Sequence, residues 1–255
     1  MSRVSSPESR VANEIAHGRM LAASESESTW GWTTPAGQLR ARRRADLIAA
    51  VARLQAGRTA LELGCGTGMF TAMFAATGAR IIAVDISPDL LRKALERHLP
   101  ADRVRFEERR AESLERGDAL LSDWAPNGLD AVVGSSVLHH LDIPAALATC
   151  KKLLARGGRI AFAEPNLLNP QVWMERNFRS LFPYVSEDES AIVRWTLRRQ
   201  LEHAGFSQIA ITPFDWLHPS TPRPLIPLID RAGRMVEHVP GVREFAGSVL
   251  ITAVA

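Results

Sequence analysis

A turn with a glycine at every second position constrains this chain more than any other feature. Residues 61–68 read Leu-Glu-Leu-Gly-Cys-Gly-Thr-Gly, and Asp85 ends a second apolar run seventeen residues after Gly68. Each glycine lacks a Cβ and tolerates a positive φ, so a ligand can approach the main chain there. A carboxylate at the end of the next strand can accept hydrogen bonds from the two hydroxyls of a ribose. Together they predict a site for a ligand that contains a nucleoside.

Short apolar runs alternate with helical segments between Thr59 and Asn166. Buried parallel strands are expected at 59–63, 80–85, 103–107, 129–134 and 159–164. Ser87-Pro88 predicts a helix that runs to Leu99, and Pro144 opens another that closes at Gly157-Gly158. This alternation predicts right-handed crossovers in an α/β, doubly wound sheet. Ligands bind such sheets beyond the carboxyl ends of the strands.

The segments on either side of this region follow another pattern. Residues 1–33 are polar and are expected to form a mobile arm with one short helix near 10–22, and Thr34-Pro35 then starts a helix that reaches Gly57. Residues 167–185 resemble an insertion. The remaining predicted elements are a helix from the capping box 186–189 to Gly205, a strand at 206–212, a helix near 225–238 and a last strand at 246–254.

Composition places the chain in a broad class. Its 255 residues, 46% of them hydrophobic, can bury the core of one large domain or of one domain with a lid. No apolar run approaches the roughly 18–20 residues of a membrane span, and the N-terminus lacks the apolar core of a secretory signal. Cys65 and Cys150 are too few for a disulfide framework or a zinc site. We therefore expect a cytoplasmic protein.

The positive charge of the chain is carried almost entirely by arginine. The net charge is +3, and the densest cluster is Arg40, Arg42, Arg43 and Arg44. Arginine binds phosphate and carboxylate well, so an anionic substrate or a nucleic acid must be considered. A genome rich in G and C would produce the same bias, and we favour that simpler interpretation.

The residues around the glycine turn separate the nucleotide-binding classes. A phosphate-binding P-loop needs Lys and Ser or Thr after its last glycine, but Met69 and Phe70 follow Gly68. A dinucleotide fingerprint needs a glycine where Met69 stands. A turn that only packs a helix on a strand would need neither Glu62 nor Asp85, so a ligand site remains the better interpretation.

Three segments in series resemble the class I S-adenosylmethionine-dependent methyltransferases. They are Glu62-Leu-Gly-Cys-Gly-Thr-Gly with Asp85, Leu129-Asp-Ala-Val-Val-Gly-Ser-Ser-Val-Leu-His-His-Leu141, and Leu154-Ala-Arg-Gly-Gly-Arg-Ile-Ala-Phe-Ala-Glu-Pro-Asn166. The resemblance implies a Rossmann-like, seven-stranded, mostly parallel sheet with an antiparallel last strand and helices on both faces. It also implies an N-terminal arm and lid helix at 1–57 and a methyltransferase domain at 58–255, with lid or substrate insertions at 167–185 and 217–240.

The resemblance further implies the cofactor and its contacts. S-adenosyl-L-methionine is expected, with S-adenosyl-L-homocysteine as the product, and no metal is expected. Asp85 would bind the ribose, Ile86 the adenine, and Glu62 would support the amino-acid end. The other implied cofactor residues are Gly64, Cys65, Gly66, Gly68, Ala111, Glu112 and Ser135. Many relatives carry an acid where Arg110 stands, so either Glu112 or the backbone alone must contact the adenine amino group.

A general base is needed only when the methyl acceptor must lose a proton. His140, His139 and Glu164 lie at the expected edge of the sheet and are the candidates. The alternative is structural, because this histidine pair also packs near the cofactor in the family, and that alternative is favoured. Asn166 and four aromatic residues, Trp30, Trp32, Trp173 and Tyr184, are the candidates for substrate contacts.

The resemblance leaves the acceptor open. We expect methyl transfer to the O, N or C atom of a small or medium-sized organic molecule. An RNA or other nucleic-acid methyltransferase is an alternative, but Gly134-Ser-Ser-Val stands where enzymes acting on base amines carry Asn-Pro-Pro-Tyr. A non-catalytic protein that binds the cofactor is a further alternative. The apolar segment 225–239 is expected to be a lid, the surface of a homodimer or a cover that touches a membrane.

Overall fold

The computed structural model describes residues 7–178, 182 and 191–255, and its centre is one seven-stranded sheet. In spatial order the strands are β3 (Val104–Glu108), β2 (Arg80–Asp85), β1 (Thr59–Leu63), β4 (Leu129–Ser135), β5 (Leu154–Pro165), β7 (Ser248–Val254) and β6 (Ser207–Phe214). The pairs from β3 to β5 are parallel, whereas β7 is antiparallel to both β5 and β6. The predicted fold class is confirmed.

Ten α-helices surround this sheet in the part of the chain that is described. They are α1 (Pro7–Ala23), α2 (Ser26–Thr29), α3 (Pro35–Ala52), α4 (Met69–Ala75), α5 (Pro88–Leu95), α6 (Ala119–Ser122), α7 (Ile143–Leu153), α8 (Pro170–Asn177), α9 (Arg194–His203) and α10 (Ile226–Val236). None of the helices within the described ranges is long and apolar enough to cross a membrane.

The strands bury both of their faces, and successive side chains enter two different cores. Ala60 packs in one core with residues of α3, α4 and α5, and Leu61 packs in the other with residues of α6, α7 and α9. The same alternation occurs on β2, where Ile81 and Ile82 enter opposite cores. Side chains of a strand point alternately to its two faces, so continuous apolar runs form a sheet with helices on each face.

Helix starts follow the cap residues seen in the sequence. The Thr34 hydroxyl accepts from Gly37 N at 3.0 Å, and the Ser87 hydroxyl accepts from Leu90 N at 3.4 Å. The Asp142 carboxylate accepts from Ala145 N at 3.1 Å at the start of α7. A proline stands in the first turn of each of these helices, where its missing N–H costs no helical hydrogen bond.

Helix ends were predicted less well than starts. α7 ends at Leu153, because β5 begins at Leu154 and runs through the Gly157-Gly158 pair where the helix was expected to end. α3 ends at Ala52 rather than near Gly57, since Arg53 adopts a left-handed conformation with φ 58°. α5 likewise stops at Leu95, before the expected Leu99. The capping box 186–189 lies outside the described residues, and α9 is described from Arg194.

The N-terminal arm, predicted to be mobile, is packed on the core over residues 7–33. α1 lies against α5, and an ion pair joins Arg19 to Asp89 at 3.5 Å. The backbone of α1 comes so close to the β2–α5 loop that a Cβ on Gly18 would lie 2.5 Å from the Ser87 hydroxyl. The arm therefore forms part of the structure around the carboxyl ends of the strands.

Candidate functional site

A cavity of about 920 Å³ lies at the carboxyl ends of β1, β2 and β4. Its wall includes the glycine turn, the loops after β2, β3 and β4, the arm, and the segment 215–220, together with residues of α3, of α8 and of the start of β7. This volume is near the upper end of the roughly 300–1,000 Å³ typical of ligand pockets. The position is the one that a doubly wound sheet offers to a ligand.

The glycines of the turn have positive φ values of 62° at Gly64, 54° at Gly66 and 74° at Gly68. They differ in what surrounds them. A Cβ on Gly64 would lie 2.4 Å from a Val137 methyl, and one on Gly68 would lie 3.1 Å from the Ala94 Cβ, so both serve close packing. Gly66 faces the cavity, with only the Trp30 ring nearby at 3.5 Å. Gly64, Cys65 and Gly66 line the cavity, whereas Gly68 lies behind it.

Asp85 ends β2 with its carboxylate at the cavity wall, and Ile86 lies beside it. One oxygen accepts from Gly66 N and the other from Ser87 N, both at 2.8 Å. Burial raises the pKa of Asp85, although these amides oppose the rise. A carboxylate held by two amides keeps lone pairs that can accept from further donors. The side chain is thus fixed in place as an acceptor for hydroxyl groups.

Glu62 lies behind the turn rather than on the cavity wall. Its side chain is buried, and burial raises the pKa to about 8, while Thr71 limits the rise and the charge of Asp85 adds to it. Its Oε2 atom has no hydrogen-bond partner in the described part of the chain. Glu62 therefore supports the turn from behind and is placed to influence Asp85.

The loop after β3 brings Arg110, Ala111 and Glu112 to the cavity, as the order of the motifs predicts. The Glu112 carboxylate accepts from Asp142 N at 3.4 Å. The Arg110 Nε atom is buried with no hydrogen-bond partner among the described residues. The loop thus offers a small side chain, an acid and a guanidinium to the ligand.

Arg44, on α3, lines the cavity, although the sequence analysis considered it only as part of the arginine cluster and not as a candidate site residue. Its guanidinium is 3% exposed and donates to three serine hydroxyls: Ser136 at 2.8 Å, Ser135 at 3.3 Å and Ser248 at 2.5 Å. Burial lowers its pKa to about 10. Within the described ranges no ion pair joins Arg44 to a carboxylate, because Asp215 is bound in two-pronged fashion by Arg40. A buried charge normally has a charged partner, so Arg44 at the cavity wall favours an anionic ligand group.

The arginine cluster of α3 is mostly internal rather than a surface patch. Arg40 pairs with Asp215 at 2.8 Å and Arg43 with Glu237 at 2.5 Å, and both side chains are largely buried. Arg42 is the exposed member. These residues join α3 to the C-terminal part of the chain across more than 170 positions of sequence. The cluster is therefore a set of structural contacts in which two members, Arg40 and Arg44, also line the cavity.

His139 and Glu164 form a buried pair beneath the loop after β4. Glu164 Oε2 lies 2.7 Å from His139 Nδ1, and Oε1 accepts from Val137 N and Leu138 N at 3.0 Å each. Burial alone would raise the pKa of Glu164, but His139 and the amides outweigh it and the pKa is lowered. Glu164 does not line the cavity and is fully buried, so its placement fits the fixing of this loop rather than contact with reacting atoms.

His140 lines the cavity next to this buried pair. Its ring centroid is 4.2 Å from that of His139, and its Nδ1 atom lies 3.0 Å from Glu14 Oε2 on α1. Of the predicted base candidates, His139 and His140 reach the wall, and His140 is the more exposed of the two. The structure thus brings a histidine from the β4 loop together with an acid from the arm.

The predicted substrate residues divide into two groups. Trp30 and Trp32 line the cavity, and Trp32 packs edge-on against Phe70 with ring centroids 5.8 Å apart. Asn166 does not reach the wall, because its buried amide donates to the carbonyls of Glu244 and Ala246. Trp173 is half exposed on α8 and also lies outside the wall. Tyr184 lies outside the described residues.

Sequence reasoning also missed the contribution of α1. Arg10, Glu14 and His17 line the cavity from one face of this helix. Their spacing of four and three residues was visible in the sequence as a polar face, since residues i, i+4 and i+7 lie on one side of a helix. His218, which also lines the cavity, had no comparable local signal.

Comparison with known proteins identifies the family. A family model described as a methyltransferase domain matches residues 61–160. The chain is also similar to a demethylmenaquinone methyltransferase of Thermobifida fusca, at 31% identity over 60% of this chain and 71% of that protein. The chain belongs to the S-adenosylmethionine-dependent methyltransferases. This confirms the resemblance drawn from the glycine turn and the segments after β4 and in β5.

Two further similarities bear on this methyltransferase. A ubiquinone biosynthesis O-methyltransferase of Methylococcus capsulatus is 33% identical over 44% of this chain, and the match spans 45% of that protein. The solved structure of the N-methyltransferase NodS from Bradyrhizobium japonicum, in complex with S-adenosylhomocysteine, covers 95% of this chain and 98% of its own. It has a TM-score of 0.62 at 16% identity, which shows the shared fold.

The residues at the cavity fit the cofactor of this family. Gly66 leaves its Cα face open where a Cβ would project toward the cavity, and Asp85 is a fixed acceptor beside it. The buried Arg44 has an Nε atom with no partner within the described ranges and no carboxylate of its own. A cofactor with ribose hydroxyls and a free carboxylate matches these groups.

Proposed function

We propose that this methyltransferase acts on a small or medium-sized organic molecule that is enclosed together with S-adenosylmethionine. The observation that carries the proposal is the continuous cavity that extends from Gly66 and Asp85 to His140 under the arm. The relatives named for menaquinone and ubiquinone biosynthesis support a ring-bearing acceptor. Trp30, Trp32 and Trp216 supply aromatic wall for such a ring.

We further propose which residues of the chain contact each part of the cofactor. Asp85 would accept from the ribose hydroxyls, and Ile86 with the Ala111 segment would contact the adenine. Arg44 would receive the amino-acid carboxylate, with Ser135 holding its guanidinium in place. The remaining residues that the resemblance implies would support these contacts from the region of the glycine turn or from the loop after β3. They are Glu62, Gly64, Cys65, Gly66, Gly68 and Glu112.

When bound, S-adenosylmethionine supplies an activated methyl group, so the protein's own task is to bind, orient and exclude water. The arm covers the cavity from one side and the segment 215–220 from another. If the acceptor must lose a proton, His140 Nε2 would take it, since Nδ1 faces Glu14. Glu164 would act by holding His139 and the loop on which His140 lies. We propose residues 1–57 as the lid of domain 58–255.

The arginines of α3 reduce the support for a nucleic-acid substrate. Arg40, Arg43 and Arg44 are largely internal, which leaves Arg42 as the exposed member of the cluster. The enclosed cavity also suits a small molecule better than a duplex. The cytoplasmic location, the homodimer and the independence from metal stay predictions.

The experiment that tests the proposal is methyl labelling. The protein is incubated with methyl-labelled S-adenosylmethionine and either small-molecule extracts or total RNA, and the products are analysed by mass. We expect label in a small ring-bearing product, whose fragments show whether O, N or C was methylated. Label in RNA alone, with an affinity that falls steeply with salt, would support the nucleic-acid alternative. If S-adenosylmethionine binds but neither pool is labelled, the non-catalytic alternative gains support.

A further inference from the structure

The ion pair between Glu14 and His140 joins the arm to the most exposed candidate base of the cavity. Glu14 Oε2 lies 3.0 Å from His140 Nδ1, and the two side chains are 14% and 23% exposed. Glu14 is in α1 and His140 in the short helix after β4, so the pair spans 126 positions of sequence. Such a pair in a partly buried site is stronger than one on an open surface.

An acid at Nδ1 has two effects on an imidazole. The contact is an ion pair without hydrogen-bond geometry, so it acts through the charge of the carboxylate. That charge favours the tautomer in which Nδ1 carries the proton, which leaves the lone pair on Nε2, and it stabilises the protonated ring. Both effects suit a group that accepts a proton at Nε2. In this cavity the acid comes from the arm, so its presence depends on where α1 lies.

The arm is seated by contacts that do not involve Glu14. Gly18 touches Ser87 at the loop after β2, and Lys93 Nζ donates to Ser24 O at 2.8 Å. The Thr67 hydroxyl in the glycine turn donates to Glu27 Oε1 at 2.8 Å, and Arg97 forms an ion pair with the same oxygen. Of these anchors, Thr67 lies on the turn that includes Gly66, and Ser87 lies on the loop after Asp85, whereas Lys93 is in α5 and Arg97 follows it. Seating of the arm is therefore linked to the cofactor end of the cavity.

We propose that Glu14 is the positioning residue of His140, delivered by the arm, so that the His140 lone pair is fixed at Nε2 only when α1 is seated on the cofactor site. This deepens the proposed function and rests on it only where His140 is taken as the base. His139 packs next to His140, and Asp85 interacts with it electrostatically, so both would contribute to its titration. Other charged or titratable side chains line the same cavity: Arg10, His17, Arg110, Glu112 and Asp142.

The first test measures the titration of His140 directly, without turnover. The full chain, labelled with ¹⁵N in histidine and bound to S-adenosylhomocysteine, is titrated by NMR. The His140 signal is assigned as the one lost in His140→Gln. We expect Glu14→Gln to lower the midpoint of this titration by about one pH unit and to reduce the Nδ1–H tautomer. Glu14→Asp should retain most of the wild-type midpoint.

Two control variants distinguish the effect of the Glu14 charge from a general effect of changing α1 and from an effect of how the arm is seated. Glu8→Gln changes an exposed acid in the first turn of the same helix and should leave the His140 midpoint at its wild-type value. Glu27→Ala keeps Glu14 but removes an anchor of the arm, and it should shift the midpoint in the same direction as Glu14→Gln. An unchanged His140 midpoint in Glu14→Gln overturns the proposal. A shift in Glu14→Gln but not in Glu27→Ala overturns the dependence on arm seating.

Activity then distinguishes this proposal from the proposed function. With the acceptor found by labelling, we expect Glu14→Gln to reduce kcat about tenfold and move its acidic limb to lower pH, with little change in KM for S-adenosylmethionine. His140→Ala should reduce kcat at least as much. If the NMR shift is seen but His140→Ala has full turnover, the positioning contact stands and the base role in the proposed function fails.

Discussion

The two ends of the cavity are built in different ways. At the cofactor end the glycine turn, Asp85 and Ile86 follow one another within about 25 residues of sequence, and backbone amides hold the Asp85 carboxylate. At the acceptor end the wall combines α1, the tryptophans of the arm and the segment 215–220, which are almost 200 residues apart. Local backbone geometry fixes the first end, whereas tertiary contacts between distant side chains fix the second.

This difference shows why a family can keep its methyl donor while its acceptors vary. The backbone amides that hold Asp85 are present whatever side chains surround them. Arg40–Asp215 and Arg43–Glu237, by contrast, join α3 to the segment that closes the cavity, and replacing either pair would reshape that wall. We expect substitutions at the two ends to have distinct signatures.

The largest effect is expected at Asp85. Asp85→Ala removes the acceptor that we propose for the two ribose hydroxyls, and hydrogen bonds to a charged group contribute about 1.5–3 kcal/mol each. We expect a loss in affinity for S-adenosylhomocysteine of about 100- to 1,000-fold, measured by titration calorimetry. Asp85→Asn, which keeps the shape and one acceptor oxygen, should lose less. Wild-type affinity in Asp85→Ala would show that the glycine turn alone defines the cofactor end.

The second-largest effect on cofactor affinity is expected at Arg44. Its substitution tests whether this side chain belongs to the cofactor end or to the acceptor end of the cavity. Arg44→Met keeps much of the buried volume and removes the charge, so we expect a loss of about 10- to 100-fold in affinity for S-adenosylhomocysteine. The Tm of the free protein should change little, because removing a buried charge that has no carboxylate partner offsets the loss of its hydrogen bonds to three serines. Decarboxylated cofactor product should bind the variant and the wild type alike.

Arg42→Met is the matched control for this prediction. Arg42 lies two residues earlier in α3 and is exposed, so its substitution should leave both the affinity and the Tm nearly unchanged. If Arg44→Met binds S-adenosylhomocysteine as tightly as Arg42→Met does, the Arg44 charge does not face the cofactor. Arg44 would then belong to the acceptor end of the cavity.

The same contrast explains what the sequence could predict. The positions of the strands, the turn and Asp85 depend on short-range patterns, namely apolar runs, glycine spacing and a carboxylate at a strand end. Arg44 lies in a cluster that the sequence places on a helix, but its burial depends on Ser135, Ser136 and Ser248, which are 91 to 204 residues away. Glu164 illustrates the reverse error, since its position at the end of β5 suggested the cavity, whereas it points to His139.

Glu14 shows both what a local sequence pattern can predict and what depends on tertiary contacts. A polar face on α1 is visible in the spacing of Arg10, Glu14 and His17. That this face meets His140 follows from the packing of α1 on α5 and on the loop after β2, which no local pattern encodes. The residues that share one face of a helix can therefore be predicted from the sequence, but the part of the molecule that this face contacts cannot.

The smallest effect is expected at Glu62, behind the glycine turn, and it depends on pH. Its pKa is raised from an ordinary 4.5 to about 8, mainly by burial, so the folded protein holds this proton more tightly than the unfolded chain does. The stability that the protonated group contributes is complete below pH 4.5 and is lost as the pH rises through about 8.

Glu62→Gln mimics the protonated group at every pH, so the variant should lack this loss of stability. We expect the Tm of the free Glu62→Gln protein, relative to that of wild type, to rise by several degrees between pH 5.5 and pH 8.5. Asp85 is present in both proteins, so its own titration cancels to first order. A constant Tm difference across this range would show that Glu62 is ionised in the folded protein and would contradict the prediction.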